Sequence, residues 1–443
     1  MDVYTIGGFN EVGKNMVVVD LGEDAFIFDC GLFLPPIVEL EEKEKGYNEK
    51  ILRSIGALPN DYILDNNIPG KVRAIICSHA HLDHIGAIPY MAQRYKCPVI
   101  GTPFSMEVLK RLYEDGKQPI RNELITVHPN SNIVVQGKNT KYKIDFVNIT
   151  HSTIQTSMLA LHTKEGVVLY SNDFKFDNNP ILGKEPNYEL LGEIAKEGVK
   201  VMIVDSLYSG DERKTASEKV ARALLEDTML TTQNEKAAVV VTTFSSHIAR
   251  LKSIVDFSKR LNRIPVFVGR SLSKYVTAAI NVKLCPFAKE IKMASFKSQV
   301  EKYLKIVNKE RSKYVLVCTG HQAEPGSVLE RISRNQLPFT LNHDDHVIFS
   351  SSVIPTTINI ENRRALEEKL KKRGVRLFNN VHVSGHAGRE DLRDFVNMMH
   401  AEHVIPAHGG KDKTAPMVEL CNELGYKTDK NVHLMSNGQK IRF

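Results

Sequence analysis

Tryptophan is absent from the 443 residues, and aromatic side chains make up only 7% of the chain. Neither an aromatic RNP-type motif nor a KH-like GxxG context nor a zinc knuckle is present, so the common small nucleic-acid-binding modules are excluded. The six cysteines, at 30, 77, 97, 285, 318 and 421, form no CxxC pair. That excludes a cysteine zinc site and a disulfide framework, and it points to a reducing, cytoplasmic setting. Long apolar runs are also missing. Stretches such as Val201–Val204 and Ala237–Val241 are strand-sized, so no membrane span and no membrane partner is expected. Met1-Asp2-Val3-Tyr4 lacks the basic start and apolar stretch of a signal peptide. Tandem repeats and low-complexity tracts are absent.

What is present is the composition of a globular protein, with 42% hydrophobic and 25% charged residues. A chain of this length exceeds one ordinary core, so two folding units are expected. The formal charge of +7 suits a polyanionic partner without demanding one. Val3–Ile6, Met16–Leu21 and Ala25–Phe28 read as strands in quick succession, and a polar segment from Glu39 to Asn67 follows. Its run Glu39–Lys45 reads as a solvated face or lid. Val72–Cys77 is a buried strand, Leu82–Arg94 has helical spacing, and strands resume at Tyr142–Ile149, Met158–His162, Val167–Tyr170 and Val201–Val204.

Beyond Leu207 the texture changes. Helix-length stretches (Ala216–Met229, His247–Leu261, Leu272–Val282) alternate with short apolar runs at Ala237–Val241, Val266–Val268 and Tyr314–Val317. Such alternation predicts a parallel-sheet domain. From His382 the first texture returns, closing near Pro406-Ala407-His408-Gly409.

The chemistry concentrates in His79-Ala80-His81-Leu82-Asp83-His84, where four ligand-type side chains occupy six residues at a strand end. Imidazole nitrogen and carboxylate oxygen together suit zinc, manganese or iron better than magnesium. Four clustered polar groups without a compensating ion would be costly, which disfavours a purely structural role. His151, Asp173 and His408 each follow an apolar run beside small residues, as ligands on strand-to-loop junctions should. Scattered histidines such as His128, His162 and His433 lack such company and read as ordinary.

This pattern resembles the metallo-β-lactamase superfamily, which implies an αββα sandwich with ligands on one edge. By that resemblance His79, His81 and His151 hold one ion, Asp83, His84 and His408 hold the other, and Asp173 bridges them. The implied cofactor is a pair of zinc ions, with manganese as an alternative, and Asp29 orients ligand histidines. Two such ions can lower the pKa of a bridging water and clamp a phosphate. Asp205-Ser206-Leu207-Tyr208 and His382-Val383-Ser384-Gly385-His386-Ala387 are similar to the boundary motifs of the β-CASP nucleases. They imply an inserted β-CASP parallel α/β domain at 209–380 between lactamase parts at 1–208 and 381–443. Asp205 and His386 then match the family's acid and histidine, and they join Asp83 and His84 as catalytic candidates.

Within that group, Ile6–Met16 (IGGFNEVGKNM), Thr319–Ser327 (TGHQAEPGS) and Val347–Pro355 (VIFSSSVIP) resemble the RNase J family, in its shorter archaeal type. The resemblance spans essentially the whole chain. It implies a zinc-dependent exonuclease acting mainly 5′ to 3′ on single-stranded RNA, with a preference for 5′-monophosphate ends; a homodimer is expected. Ser245, Ser246, His247, Arg270, Ser384, Gly385 and His386 offer hydroxyl, amide and cationic groups for the 5′-phosphate, two of these segments opening predicted helices. Simple capping by Ser246 and Ser271 is the competing reading.

Three rivals stand beside this one. The first is an endonuclease like the catalytic subunit of mRNA 3′-end processing, against which the absence of a KH segment counts. The second is a DNA nuclease built from the same domains. The third, a non-catalytic relative, is disfavoured because every expected ligand position is filled. Lactamase and glyoxalase types lack an insertion of this size, which suits a polymer rather than a small ester.

Overall fold

The computed structural model describes residues 1–39, 47–64, 68–233, 235–354 and 356–443. Most of the acidic and basic run Glu39–Lys45 therefore lies outside the described residues. The chain forms two compact units. The first holds Met1–Asn178, Gly183–Thr215 and Gly385–Phe443, and the second holds Asn179–Leu182 and Ala216–Ser384.

The first unit is a sandwich of two sheets. In one, the order is Gln439–Arg442, Asp2–Gly7, Met16–Asp20, Ala25–Phe28, Val72–Ile76, Val99–Gly101 and Leu124–Thr126. In the other it is His403–Ala407, Val199–Asp205, Gly166–Tyr170, Ser157–Thr163, Lys141–Asn148 and Ser131–Gln136. Phe26, Phe28, Ala74 and Ile76 from the first sheet meet Phe146, Leu159, Leu161 and Ile203 from the second in one buried core. The other face of the second sheet is covered by the helices Tyr188–Glu197, Arg389–Met399 and Lys411–Glu423, through Leu191, Phe395 and Met417 among others. This is the αββα arrangement expected from the sequence, and strands buried on both faces explain why they read as continuous apolar runs.

The second unit is built on a fully parallel sheet, in the order Lys292–Ala294, Ile264–Val268, Tyr314–Cys318, Val239–Thr242, His346–Phe349 and Arg376–Phe378. Helices such as Ile248–Arg260, Arg270–Asn281 and Lys297–Lys309 make the crossovers that parallel pairing requires. Among the described residues, no helix is long and apolar enough to cross a membrane.

Two local expectations are corrected. Leu82–Arg94 is not one helix but three short pieces, Leu82–Ile85, Ile88–Met91 and a 3₁₀ turn Ala92–Arg94. Pro89 brings no amide to continue the ladder, and the Ala87 amide donates to Cys30 O (3.0 Å) instead of to its own turn. Nor do Ser246 and Ser271 cap helices. His247 caps Ile248–Arg260, its Nδ1 accepting from the Arg250 amide (3.4 Å), and Ser271 lies inside Arg270–Asn281 behind an N-cap glycine, Gly269.

Candidate metal centre

Strand direction decides where the ligands gather. Gly166–Tyr170, Val199–Asp205 and His403–Ala407 are mutually parallel, and Lys141–Asn148 shares their direction because both it and Gly166–Tyr170 run antiparallel to Ser157–Thr163. Their carboxyl ends share one edge, from which His151, Asp173, Asp205 and His408 emerge. In the other sheet Ala25–Phe28 and Val72–Ile76 are parallel and end in Asp29 and in His79–His84. Six strand ends supply the candidate ligands and the acids beside them.

The side chains meet as two overlapping groups. His79, His81, His151 and Asp173 place ligand atoms within 4.8 Å of one another, and so do Asp83, His84, Asp173 and His408. In the first group His79 Nε2 lies 3.0 Å from His81 Nδ1, which lies 3.2 Å from His151 Nε2. Those separations are close to the edge of a tetrahedron with bonds of about 2.0–2.1 Å to nitrogen. In the second, His84 Nε2 is 3.1 Å and 3.7 Å from the Asp173 and Asp83 carboxylates, and His408 Nδ1 is 3.4 Å from Asp173 Oδ1. Asp173 is nearly wholly buried, and its Oδ1 takes no hydrogen bond. A buried carboxylate oxygen left unbonded amid converging imidazoles fits a divalent cation.

Electrostatics prepare the ligands. Burial, then neighbouring histidines, hold His79 and His151 well below the usual imidazole pKa, so both are neutral and able to coordinate. Burial also acts on His84, but Asp173, Asp83 and Asp29 outweigh it and raise its pKa well above the usual value, a concentration of negative charge that would equally favour a cation at this position. A third grouping joins Asp173 to Asp205 and His386. His386 Nδ1 is 2.8 Å from Asp205 Oδ2, and its ring stacks 5.4 Å from that of His408. Against burial, Asp205 and then Asp173 push the His386 pKa up to about 9.

Supporting contacts fix each ring. Asp29 adopts φ +58° and accepts from the Ser78 amide (2.8 Å), while its Oδ2 takes the Ser78 hydroxyl and His84 Nδ1, both at 2.7 Å. That leaves His84 Nε2 directed at Asp173. His151 Nδ1 donates to Gly385 O at 2.6 Å, which frees Nε2 for the first group. A Cβ at Gly385 would stand 3.0 Å from the His151 ring, tighter than an ordinary contact, so a larger residue would press on the ring.

Asn15, in the Ile6–Met16 motif, is a further residue of the site that no ligand-type pattern marks. Its Nδ2 donates to Asp83 O (3.0 Å) and lies 3.1 Å from His84 Nε2, while His408 Nδ1 lies 3.1 Å from its Oδ1. The loop is stitched to this region: the Asn15 amide donates to Asp83 O (3.0 Å), and the His408 amide donates to Gly8 O (2.6 Å). The signal available was a buried-looking Asn in a glycine-rich loop after a strand. Asn15→Leu is expected to weaken metal binding by about 10–100-fold, the range for lost outer-shell partners, in a chelator-competition titration. Unchanged affinity would show that Asn15 only shapes the loop.

In the second unit, the carboxyl ends of four parallel strands bring Thr243–His247, Gly269–Ser271, Thr319–Gln322 and Ser350–Ser352 to one edge. Ser245 Oγ and Ser271 Oγ are 3.0 Å apart, Thr243 Oγ1 donates to Ser350 O (2.8 Å), and Arg270 is exposed. His247 is buried, its Nε2 3.3 Å from Glu218, so it is engaged within the unit. Gly385 and His386 belong to the first unit and Ser384 to the second. His382, His400 and His403 do not join the metal groups; His403 Nδ1 instead meets His433 Nε2 at 3.1 Å.

Two curated proteins resemble this chain along its whole length. "Ribonuclease J" of Methanocaldococcus jannaschii is 39% identical, covering 100% of this chain and 99% of the relative. "Ribonuclease J" of Pyrococcus abyssi is 40% identical, covering 99% and 96%. The chain belongs to the ribonuclease J family. Family models agree: residues 10–226 match the metallo-beta-lactamase superfamily, 236–365 the ribonuclease J beta-CASP domain, and 372–435 a Zn-dependent metallo-hydrolase RNA specificity domain. "Ribonuclease J" of Helicobacter pylori is more distant, 28% identical over 99% of this chain but only 60% of its own length. A crystal structure of a protein of unknown function from Enterococcus faecalis shares the fold, with a TM-score of 0.66 at 16% identity over 99% of both chains. For a metallo-hydrolase of the ribonuclease J family, this candidate cluster of histidines and aspartates suits a metal cofactor.

Proposed function

We propose that this ribonuclease J family member hydrolyses phosphodiester bonds of single-stranded RNA at a pair of zinc ions, mainly from 5′-monophosphate ends in the 5′ to 3′ direction. The observation that carries the reading is the sharing of Asp173 between two ligand groups with the His386–Asp205 pair beside them. His79, His81 and His151 would hold one ion, Asp83, His84 and His408 the other, with Asp173 common to both. When bound, two such ions supply Lewis acidity to a phosphate and lower the pKa of a water.

The chain's own residues do the rest. Asp29, Asn15 and Gly385 hold the ligand rings in orientation. Asp205 fixes His386 by Nδ1, also accepting the Leu207 amide (3.0 Å). His386 so held is placed to pass a proton to the departing 3′-oxygen. Ser245, Ser246, Arg270, Ser384, Gly385 and His386 remain the proposed 5′-phosphate contacts; the strand-end position and helix N-termini of the second unit support that part. His247, carried in the same set, has its ring committed to Arg250 and Glu218. A homodimer in the cytoplasm belongs to the same proposal, and sedimentation checks the assembly.

His386→Gln is expected to lower kcat by about 10²–10⁴-fold, the usual contribution of a general acid, with metal content unchanged. Metal loss in that variant would make His386 a ligand, as its grouping with Asp173 and Asp205 also allows. The functional reading itself is tested with one RNA, internally and 5′-labelled in parallel, carrying a 5′-monophosphate or a 5′-triphosphate. Mononucleotides released faster from the monophosphate end support it. Discrete internal fragments indifferent to the 5′ end would move the assignment to an endonuclease, and cutting of DNA alone would move it to a DNA nuclease.

A further inference from the structure

The parallel strands that carry His79 at their carboxyl edge have a second feature at the opposite edge. Residues 96–98 lead into Val99–Gly101 and residues 121–123 lead into Leu124–Thr126, both parallel to Val72–Ile76. A cavity of about 720 Å³ opens there, lined by Tyr62, Tyr90, Arg94, Lys96, Arg121 and Glu123 among others. At roughly 3.3 Å per strand residue it lies on the order of 15–20 Å from the metal ligands.

Tyr62 is the unusual member. It is 67% exposed, yet it is held in place rather than loose. The Arg53 and Arg94 guanidinium carbons lie 4.5 Å and 5.3 Å from its ring centroid. Both arginines are anchored by the wholly buried Asp61, at 3.0 Å and 2.9 Å, and the Tyr95 hydroxyl donates to the same carboxylate (2.6 Å). The result is an aromatic ring presented to solvent on a rigid cationic mount. Lys96 and Arg121 at the same cavity are exposed and not ion-paired among the described residues.

A fixed π-face next to uncommitted cations is the pairing that holds a single-stranded nucleotide, the ring taking the base and the cations the phosphate. Volume fits one nucleotide better than a duplex or a protein segment. Glu49 and Glu123 also line the cavity, which makes it a poor trap for phosphate alone and suits hydrogen bonds from base amino groups. We propose that this cavity is an accessory contact for the RNA strand, a nucleotide stacking on Tyr62 with its phosphate at Lys96 and Arg121. The inference rests on the ribonuclease reading for the identity of the strand. Its distance from the metal ligands means that only an RNA long enough to reach both benefits.

The test uses the full chain with Tyr62→Ala, Tyr62→Phe and Arg121→Glu, on a long unstructured RNA and on a 5′-phosphorylated trinucleotide. Tyr62→Ala is expected to raise KM for the long RNA by about 5- to 100-fold, the range for one lost stacked base, and Arg121→Glu is expected to raise it through the lost phosphate contact, both at unchanged kcat. Trinucleotide KM should not move, and Tyr62→Phe should behave as wild type. An unchanged KM for long RNA in both variants would overturn the proposal. So would relief of adenosine monophosphate inhibition by Tyr62→Ala without any change for long RNA, which would assign the cavity to free nucleotide. If wild-type protein cut neither RNA, the ribonuclease reading would fall, and fluorescence anisotropy of the long RNA on wild type and Tyr62→Ala would still decide the cavity.

Discussion

Asp173→Asn is expected to reduce RNA hydrolysis by about 10³-fold or more and to leave the purified protein with fewer bound ions than wild type. Losing one electrostatic stabiliser of a reaction costs about 3–4 kcal/mol, and this residue serves both ligand groups. Burial works against its charge, but His408, His84 and His386 hold its pKa well below the usual carboxylate range. Asparagine keeps the shape and removes that charge. The variant should fold, because the edge it occupies is built by the backbone of four strands rather than by Asp173. Parallel measurement of turnover and of metal content separates the two effects. Full activity in Asp173→Asn would remove the shared-ligand account.

The second large effect concerns the inserted unit. Arg250 is wholly buried, and its guanidinium forms a two-pronged pair with buried Glu218, Nη2 donating at 2.7 Å and Nε to the other oxygen. Nη1 also donates to Ser350 O (2.9 Å) and Oγ (2.8 Å). The pair thus ties the helices Glu218–Glu226 and Ile248–Arg260 to the end of the strand His346–Phe349. Removing one partner strands the other charge away from water, at about 3–5 kcal/mol. Arg250→Met is therefore expected to destabilise by that amount in urea unfolding, and Arg250→Met with Glu218→Leu should recover more than half of it. A small loss in the single variant would mean that water reaches the pair.

The pH dependence follows from the same contact. Burial opposes the Glu218 charge, but Arg250 and His247 hold its pKa well below the normal value. A depressed carboxylate contributes stability that is fully present above its unfolded pKa of about 4.3 and is lost as pH falls through the folded value. Stability of wild type should thus fall on acidification below about pH 4–5, and the double variant should fall less.

What the sequence made legible, and what it hid, has a physical division. His79–His84 was readable because four ligand types in six residues have no cheap structural use. His151, Asp173 and His408 were readable because each follows an apolar run, and parallel strand order then carries them to one edge. Asn15 was hidden, since its partners Asp83, His84 and His408 are brought to it only by the fold. The break at Gly86–Pro89 was underrated against helical spacing, because the Ala87 amide finds Cys30 O, a partner distant in sequence. The capping serines failed for a similar reason: His247 is bound by Glu218 of another helix and takes the cap instead. Tyr62 gave no signal at all, because an isolated tyrosine in a polar stretch is ordinary until Asp61 is seen pinning two arginines beside it.

On the proposed function, His79, His81, Asp83, His84, His151, Asp173 and His408 would hold two ions on which RNA hydrolysis depends. Elemental analysis of purified wild type and Asp83→Ala, combined with RNA turnover before and after chelation and zinc return, tests it most directly. Wild type is expected to carry two zinc ions per chain, to lose turnover on chelation and to regain it with zinc, and Asp83→Ala to carry fewer ions and show no turnover. Wild-type turnover that survives complete metal removal, or an Asp83→Ala protein that cuts RNA at the wild-type rate, would contradict it.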